Sequence, residues 1–254
     1  MDYYSGISFG AMIMIAFIAI AVFLYGMFLN IKKWSLGSTG YGLEPSNGSI
    51  GVFLKTLLAA IKEESPKKGH KQSLLTTLVL DILLQRRILR RNPLRWFMHI
   101  TIFVGWMALF IFSLIMFLFE VIELIGIELP LALHPEVLRD TMAVPNDIFS
   151  YILLVGIIIA IIRRLFISDV RENTIAYDSV FLAGLTIITV SGFVSDWIRI
   201  GLFVDYGIPE VASPPAAFFH VIISLLFCIA YIPYSKYMHM IAAPLVLIAN
   251  KGGE

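Results

Sequence analysis

Residues 7–29 read ISFGAMIMIAFIAIAVFLYGMFL, a run of 23 without a formal charge. At about 1.5 Å per residue a helix of that length covers roughly 34 Å, enough to cross a hydrocarbon core of about 30 Å. The segment before it holds Asp2 and no lysine or arginine, whereas Lys32 and Lys33 follow it. Those flanks are the reverse of a secretory signal's. The run is therefore read as a retained membrane helix with its amino terminus outside.

The rest of the chain agrees with that reading. Its 254 residues are 59% hydrophobic and 15% charged, with mean hydropathy +0.86. A water-soluble domain carries nearer half apolar and a quarter charged residues. Further uncharged runs lie at 96–119, 148–162 with 165–167 beyond an arginine pair, 179–195 and 211–235. The sequence thus predicts an all-α, integral membrane bundle of five transmembrane helices, spanning about 7–30, 94–120, 147–167, 178–200 and 214–240, as a single membrane domain over 1–254. Nineteen basic against eighteen acidic residues give a net charge of +1, which argues against nucleic acid as a partner. One cysteine excludes a disulfide framework, a four-thiolate metal site and the C-x-x-C-H attachment of c-type haem.

Orientation follows from where the basic residues fall. Residues 31–95 carry twelve lysines and arginines against four acids, whereas the connection 120–147 has Arg139 alone among six acids. Arg163, Arg164 and Arg171 follow the third span, and none lies between Gly201 and Pro214. The alternation predicts the amino terminus outside and the carboxy terminus cytoplasmic. Within the long segment 31–93, residues 50–61 and 73–90 look helical. The second is amphipathic, with Leu75, Leu78, Val79, Ile82 and Leu83 near helical spacing and a basic end at Arg86, Arg87, Arg90 and Arg91. Its apolar stretch is too short to span, and it suits an interfacial helix, a docking face for a soluble subunit, or both. Residues 37–51, rich in Gly and Ser, read as a flexible surface stretch.

With one cysteine, the chemistry falls to five histidines. His99 lies about 8 Å inside the cytoplasmic end of the second span, and His239 about 36 Å along a continuous fifth helix, which places both in the same leaflet. His220 is near the outer end of the fifth helix, His134 is in the acidic outer connection, and His70 is in the lysine-rich cytoplasmic loop. A polar ring at membrane depth needs a partner. Paired imidazoles from facing helices can take the two axial positions of a b-type haem, which needs no second cysteine.

The fifth span, with His220, then Ile232-Pro233-Tyr234-Ser235-Lys236, His239 and Ala243-Pro244, resembles the last helix of the nitrate-reductase gamma-subunit type of cytochrome b. Arg95-Trp96-Phe97-Met98-His99 is similar to the start of that family's second helix. The five-span layout matches over nearly the whole chain. Within that family the resemblance is nearest to the membrane cytochrome b subunits of methanogen heterodisulfide reductases, including the tail 240–254. The resemblance implies two haems b between helices two and five, with His99 and His239 as the cytoplasmic-side pair. For the outer haem it implies His220 and a second histidine about ten residues beyond His99. This sequence has Leu109 there, between Ala108 and Phe110. The outer haem is then absent, five-coordinate on His220 and high-spin, or ligated by His134, and the resemblance favours the high-spin form. It further implies dihydromethanophenazine as the lipid-soluble donor, a cytoplasmic iron–sulfur subunit as acceptor, and the disulfide of coenzymes M and B as the oxidant reduced on that partner. A quinol-oxidising subunit of a sulfite-reductase-linked or nitrate-reductase-type complex shares every ligand argument. A haem-free anchor or transporter is the rival of another class, against which stand the odd span count and the lack of internal symmetry.

His220 and His239 are 19 residues apart, which turns them about 100° from each other on an ideal helix. Pro233 supplies a cause for a distortion between them. Gly105 and Gly192 would let a macrocycle approach the backbone. Asp196 and Arg199 share one face near the outer end of the fourth span. They are either a terminal pair snorkelling to headgroups or a functional pair, Arg199 holding a haem propionate and Asp196 accepting a proton from the carrier. Arg86, Arg87 and Arg95 are further propionate candidates. Glu120, Glu123 and Glu128 read as a solvated helix end, and Cys228 as a small apolar filler.

Overall fold

The structure is a computed structural model that describes residues 6–37, 46–62 and 76–250. His70, part of the flexible stretch and the last residues of the tail lie outside the described residues. Among the described residues every regular element is helical: α1 (Gly6–Leu36), α2 (Ile50–Lys62), α3 (Pro93–Leu124), α4 (Pro135–Phe166), α5 (Ala176–Arg199), α6 (Ser213–Leu225) and α7 (His239–Asn250), with two short α-helices, Arg86–Arg91 and Ser168–Glu172, and short π and 3-10 turns between them. Five helices are long and apolar enough to cross a membrane, namely α1, α3, α4, α5 and the segment Glu210–Ala230 that contains α6. Large apolar side chains such as Phe17 and Phe28 are more than half exposed, which water would penalise and lipid does not.

The described residues form two compact units, one holding those up to Arg86 together with those from Val190 onward, the other Arg87–Thr189. In the second unit α3 and α4 are 32 residues each, or about 48 Å, so both overrun a bilayer core. Sequence reading begins the third span near Asp147, whereas α4 begins at Pro135. The charged residues Glu136, Arg139 and Asp140 oppose burial in lipid but not helix formation. Pro135 at the first helical position, with Glu136 in the first turn, favours a helix start. At the start of α3, Asn92 Oδ1 accepts the Arg95 backbone N–H at 2.9 Å and Pro93 follows it, a capped entry.

The two helices cross where each lacks a side chain. A Cβ on Gly105 would lie 2.8 Å from Leu153 Cβ and 2.9 Å from its Cα, and a Cβ on Gly156 would lie 2.6 Å from Thr101 Oγ1 and 2.9 Å from the Ile102 backbone nitrogen. Gly105 thus admits the backbone of α4 and not a macrocycle. Since backbone cannot step aside as a rotamer does, Gly156→Val is expected to destabilise the chain by about 1–3 kcal/mol. A fall in the unfolding temperature of the detergent-solubilised protein checks it, and an unchanged value contradicts the tight crossing.

In the first unit α1 presents the small residues Ala16, Ala19 and Gly26, all buried, to α6 and the turns after it, the small-residue packing that membrane helices use. Phe53 and Leu57 of α2 are buried beside Ile31, Trp34 and Leu245, so α2 is seated between α1 and α7. The expected helix over 73–90 is not continuous. A π-turn over Thr77–Leu83 is followed by Gln85 at φ +51° and a separate helix Arg86–Arg91. The bend brings Arg86 Nη2 3.3 Å from Asp81 Oδ1, whose side chain is 2% exposed, and so compensates a charge that is costly to bury alone. Thr77, Asp81 and Gln85 face inward, while Val79 and Leu83 are exposed.

Candidate functional site

The fifth span does not run unbroken to His239. After α6 the chain passes through a π-turn at Leu226–Ala230, a 3-10 turn at Ile232–Tyr234, an extended Ser235 (φ −124°, ψ 176°) and a 3-10 turn at Lys236–Met238, and only then does α7 begin, at His239. Pro233 has no N–H to give to the preceding turn and its ring crowds that turn's carbonyl. The widened turn ahead of it absorbs the misfit. The continuous span 214–240 expected from hydropathy is corrected accordingly, and the 100° offset of an ideal helix does not apply. His220 and His239 belong to two helices.

His239 is exposed, and its Nδ1 contacts the Lys236 carbonyl oxygen. A carbonyl only accepts, so Nδ1 carries the hydrogen and the neutral ring's lone pair lies on Nε2. The turn below it is firmly held. Ser235 Oγ accepts the Tyr237 N–H at 3.2 Å, and the buried Tyr237 ring meets Phe227 edge-on with centroids 5.6 Å apart.

His220, half-buried on α6, lies against α5. Its Nδ1 is 3.0 Å from Ser191 Oγ, and a Cβ on Gly192 would sit 3.1 Å from its Cε1. Gly192 therefore makes room for the imidazole. Ser191 holds one ring nitrogen, as the outer-shell partners of ligating histidines do.

His99 is half-buried on α3 in the other unit. Around an ideal helix the residues in line with it are Trp106 and Phe110, each within about 20°, and their rings stack with centroids 5.3 Å apart and 7° between planes. The face of α3 that carries His99 thus bears an aromatic stack roughly two to three turns further on. Next to His99, Met98 Sδ takes Arg163 Nη1 of α4 at 3.5 Å.

His134 caps α4, and its Nε2 is 3.0 Å from Glu123 Oε1. Arg139 Nη2 is 3.0 Å from Glu120 Oε1, whose side chain is 18% exposed. The acidic end of α3 is therefore clasped to α4 by two pairs, where sequence reading has a solvated helix end. Asp196 and Arg199 are bonded to each other, Arg199 Nε lying 3.2 Å from Asp196 Oδ1. Sequence reasoning missed Ser191, the Glu120–Arg139 and Glu123–His134 pairs, and Asn30, which donates to the Pro233 carbonyl. Asn30 had one visible signal: it is the uncharged amide that ends the first apolar run.

Among the described residues no group of three or more His, Cys, Asp or Glu converges to hold a bare metal ion. The histidines are instead spread singly, and His220 and His239 are each seated through Nδ1. Were a haem bound, His220 and His239 would each have one imidazole to offer it from its own helix.

The family profile for HdrE, a subunit of dihydromethanophenazine:CoB--CoM heterodisulfide reductase, matches residues 75–247. Proteins named as the HdrE subunit of that reductase from Methanosarcina acetivorans, Methanosarcina mazei and Methanosarcina thermophila are each 53% identical to the chain over 263 aligned positions. The alignments cover 100% of this chain and 98%, 100% and 98% of those proteins. No solved structure matches. With the match spanning the second to fifth membrane helices and full-length relatives at this identity, the chain belongs to the HdrE family of heterodisulfide reductase subunits.

Proposed function

We propose that the chain is the haem b membrane subunit of a heterodisulfide reductase. It oxidises a reduced lipid-soluble carrier, dihydromethanophenazine, near the outer face of the cell membrane. Its electrons pass to a cytoplasmic iron–sulfur subunit, where the CoM-S-S-CoB disulfide is reduced. Haem b, when bound, supplies one-electron transfer across the bilayer. The observation that best supports the reading is the seating of His239: a carbonyl on Nδ1 leaves the lone pair on Nε2, the tautomer an axial ligand needs. His99 is proposed as its partner on one iron, a pairing carried by the sequence resemblance, and His220 as the ligand of an outer haem.

Asp196 is proposed to accept the carrier's proton, and Arg199 to orient a propionate. As the two are bonded to each other, a substitution at either also changes the other. This chain holds one cysteine and no residue set that reduces a disulfide, so that step belongs to the partner. A pyridine-haemochrome assay of the purified full chain tests the reading. Two haems per chain are expected, and none would make it a haem-free anchor.

The basic segment is proposed as the partner's docking surface. Arg86 must be spared in testing it, because it neutralises the buried Asp81 and its reversal would leave two acids together. Reversing Arg87, Arg90 and Arg91 to glutamate is expected to weaken co-purification of the iron–sulfur subunit, most at low salt, where exposed charges are least screened, with haem content unchanged. Undiminished retention of the partner by this variant at low and at raised salt contradicts the docking role.

A further inference from the structure

We infer that Asn30 and Gly26 of α1 are positioning residues for His239, holding the break at Pro233 that sets where α7 begins. The inference rests on the reading of His239 as an axial ligand.

A helix broken by proline leaves carbonyls without their usual N–H partners, and in a bilayer such groups must be satisfied from elsewhere. Asn30 does this for Pro233. Its Nδ2 donates to the Pro233 carbonyl at 2.7 Å and to the Gly26 carbonyl of its own helix at 2.9 Å. Both amide hydrogens are committed, which fixes the side chain.

Gly26 allows the approach. A Cβ there would lie 2.5 Å from Pro233 Cβ and 2.8 Å from Tyr234 Cζ, so even alanine requires α1 and the break to move apart. One turn further along α1, the Tyr234 hydroxyl donates to the Val22 carbonyl at 3.2 Å. Three successive turns of α1, at Val22, Gly26 and Asn30, therefore grip Pro233 and Tyr234.

From that anchor the path to His239 has little freedom. Ser235 is extended and caps the next turn through the Tyr237 N–H, Tyr237 is buried against Phe227, and the Lys236 carbonyl receives His239 Nδ1. The imidazole's position is thus referred to α1 more directly than to α6. This also explains an amide at the end of an apolar run, where it would otherwise cost desolvation without return. Beside the anchor a cleft of about 310 Å³ is lined by Asn30, Lys33, Ser235 and Met238, leaving the break room to shift if the grip is lost.

The test uses the full chain expressed with its partner subunits. Asn30→Asp keeps the shape and removes both donors, Asn30→Gln restores an amide, Gly26→Ala adds the smallest obstruction, and His239→Ala is the reference. Haem per chain and the low-spin electron paramagnetic resonance signal are read, together with unfolding temperature. Asn30→Asp and Gly26→Ala are expected to shift the low-spin g-values and weaken haem retention by about tenfold or more, as loss of outer-shell support does at metal sites. Asn30→Gln should recover most of both. If His239→Ala removes the low-spin signal while Asn30→Asp and Gly26→Ala keep it with unchanged g-values, the positioning role is overturned and the ligand reading stands. If His239→Ala itself keeps that signal, the ligand reading fails and this inference with it. Should Asn30→Asp not accumulate in the membrane, Gly26→Ala alone decides, and a lower unfolding temperature with unaltered g-values in that variant also overturns the inference.

Discussion

Replacing His99 or His239 with alanine is expected to abolish the low-spin electron paramagnetic resonance signal of the proposed cytoplasmic-side haem. Each substitution leaves the iron with one protein ligand, and a single imidazole does not hold it low-spin. The seating of His239 makes its variant the more informative of the two. Its ring is oriented through Nδ1 on the Lys236 carbonyl, so His239→Ala removes the Nε2 donor while the Tyr237 ring still packs on Phe227. The helix break should therefore survive, and the loss can be assigned to ligation. His99 stands on a long, capped helix, and its removal is likewise a local change. Full-intensity low-spin signals in both single variants would show the pairing to be wrong.

His220→Ala should abolish a high-spin signal and carrier-driven reduction, while the low-spin haem stays reducible by dithionite. The helix-two positions in line with His99 are occupied by the stacked Trp106 and Phe110, and the position where the resemblance expects a histidine is Leu109. One imidazole, from His220, then gives a five-coordinate iron or one with weakly bound water. His134 is the competitor as a second ligand, but its Nε2 is engaged by Glu123 at 3.0 Å. His134→Ala is accordingly expected to leave the spin state unchanged and to loosen the end of the α3–α4 pair. A low-spin outer haem that turns high-spin in His134→Ala would contradict this. Ser191→Ala removes the group 3.0 Å from His220 Nδ1, and about tenfold weaker haem retention is expected from it. Gly192→Val, which places a side chain against the ring, should act in the same direction.

Hydropathy is a local property that adds up along the chain, so the helical class and the five apolar runs were legible from residues 7–29 onward without reference to any contact. The candidate histidines were legible for the same reason, since a polar ring in an apolar run stands out wherever the run folds. Pro233 announced a break, because a missing N–H acts on its own helix. Tertiary structure decided the rest. Charged residues hid the true start of α4 at Pro135, since they oppose burial in lipid but not helix formation. Which acid meets which base, Glu123 with His134, Glu120 with Arg139, Asp81 with Arg86, depends on helices laid side by side and on bends within them. Above all, the carbonyl freed at Pro233 is satisfied by Asn30, 203 residues away in sequence. Proline removes a hydrogen-bond donor locally, but the replacement comes from whichever helix packs closely enough to reach, and only the folded chain, with Gly26 clearing the way, determines that it is α1.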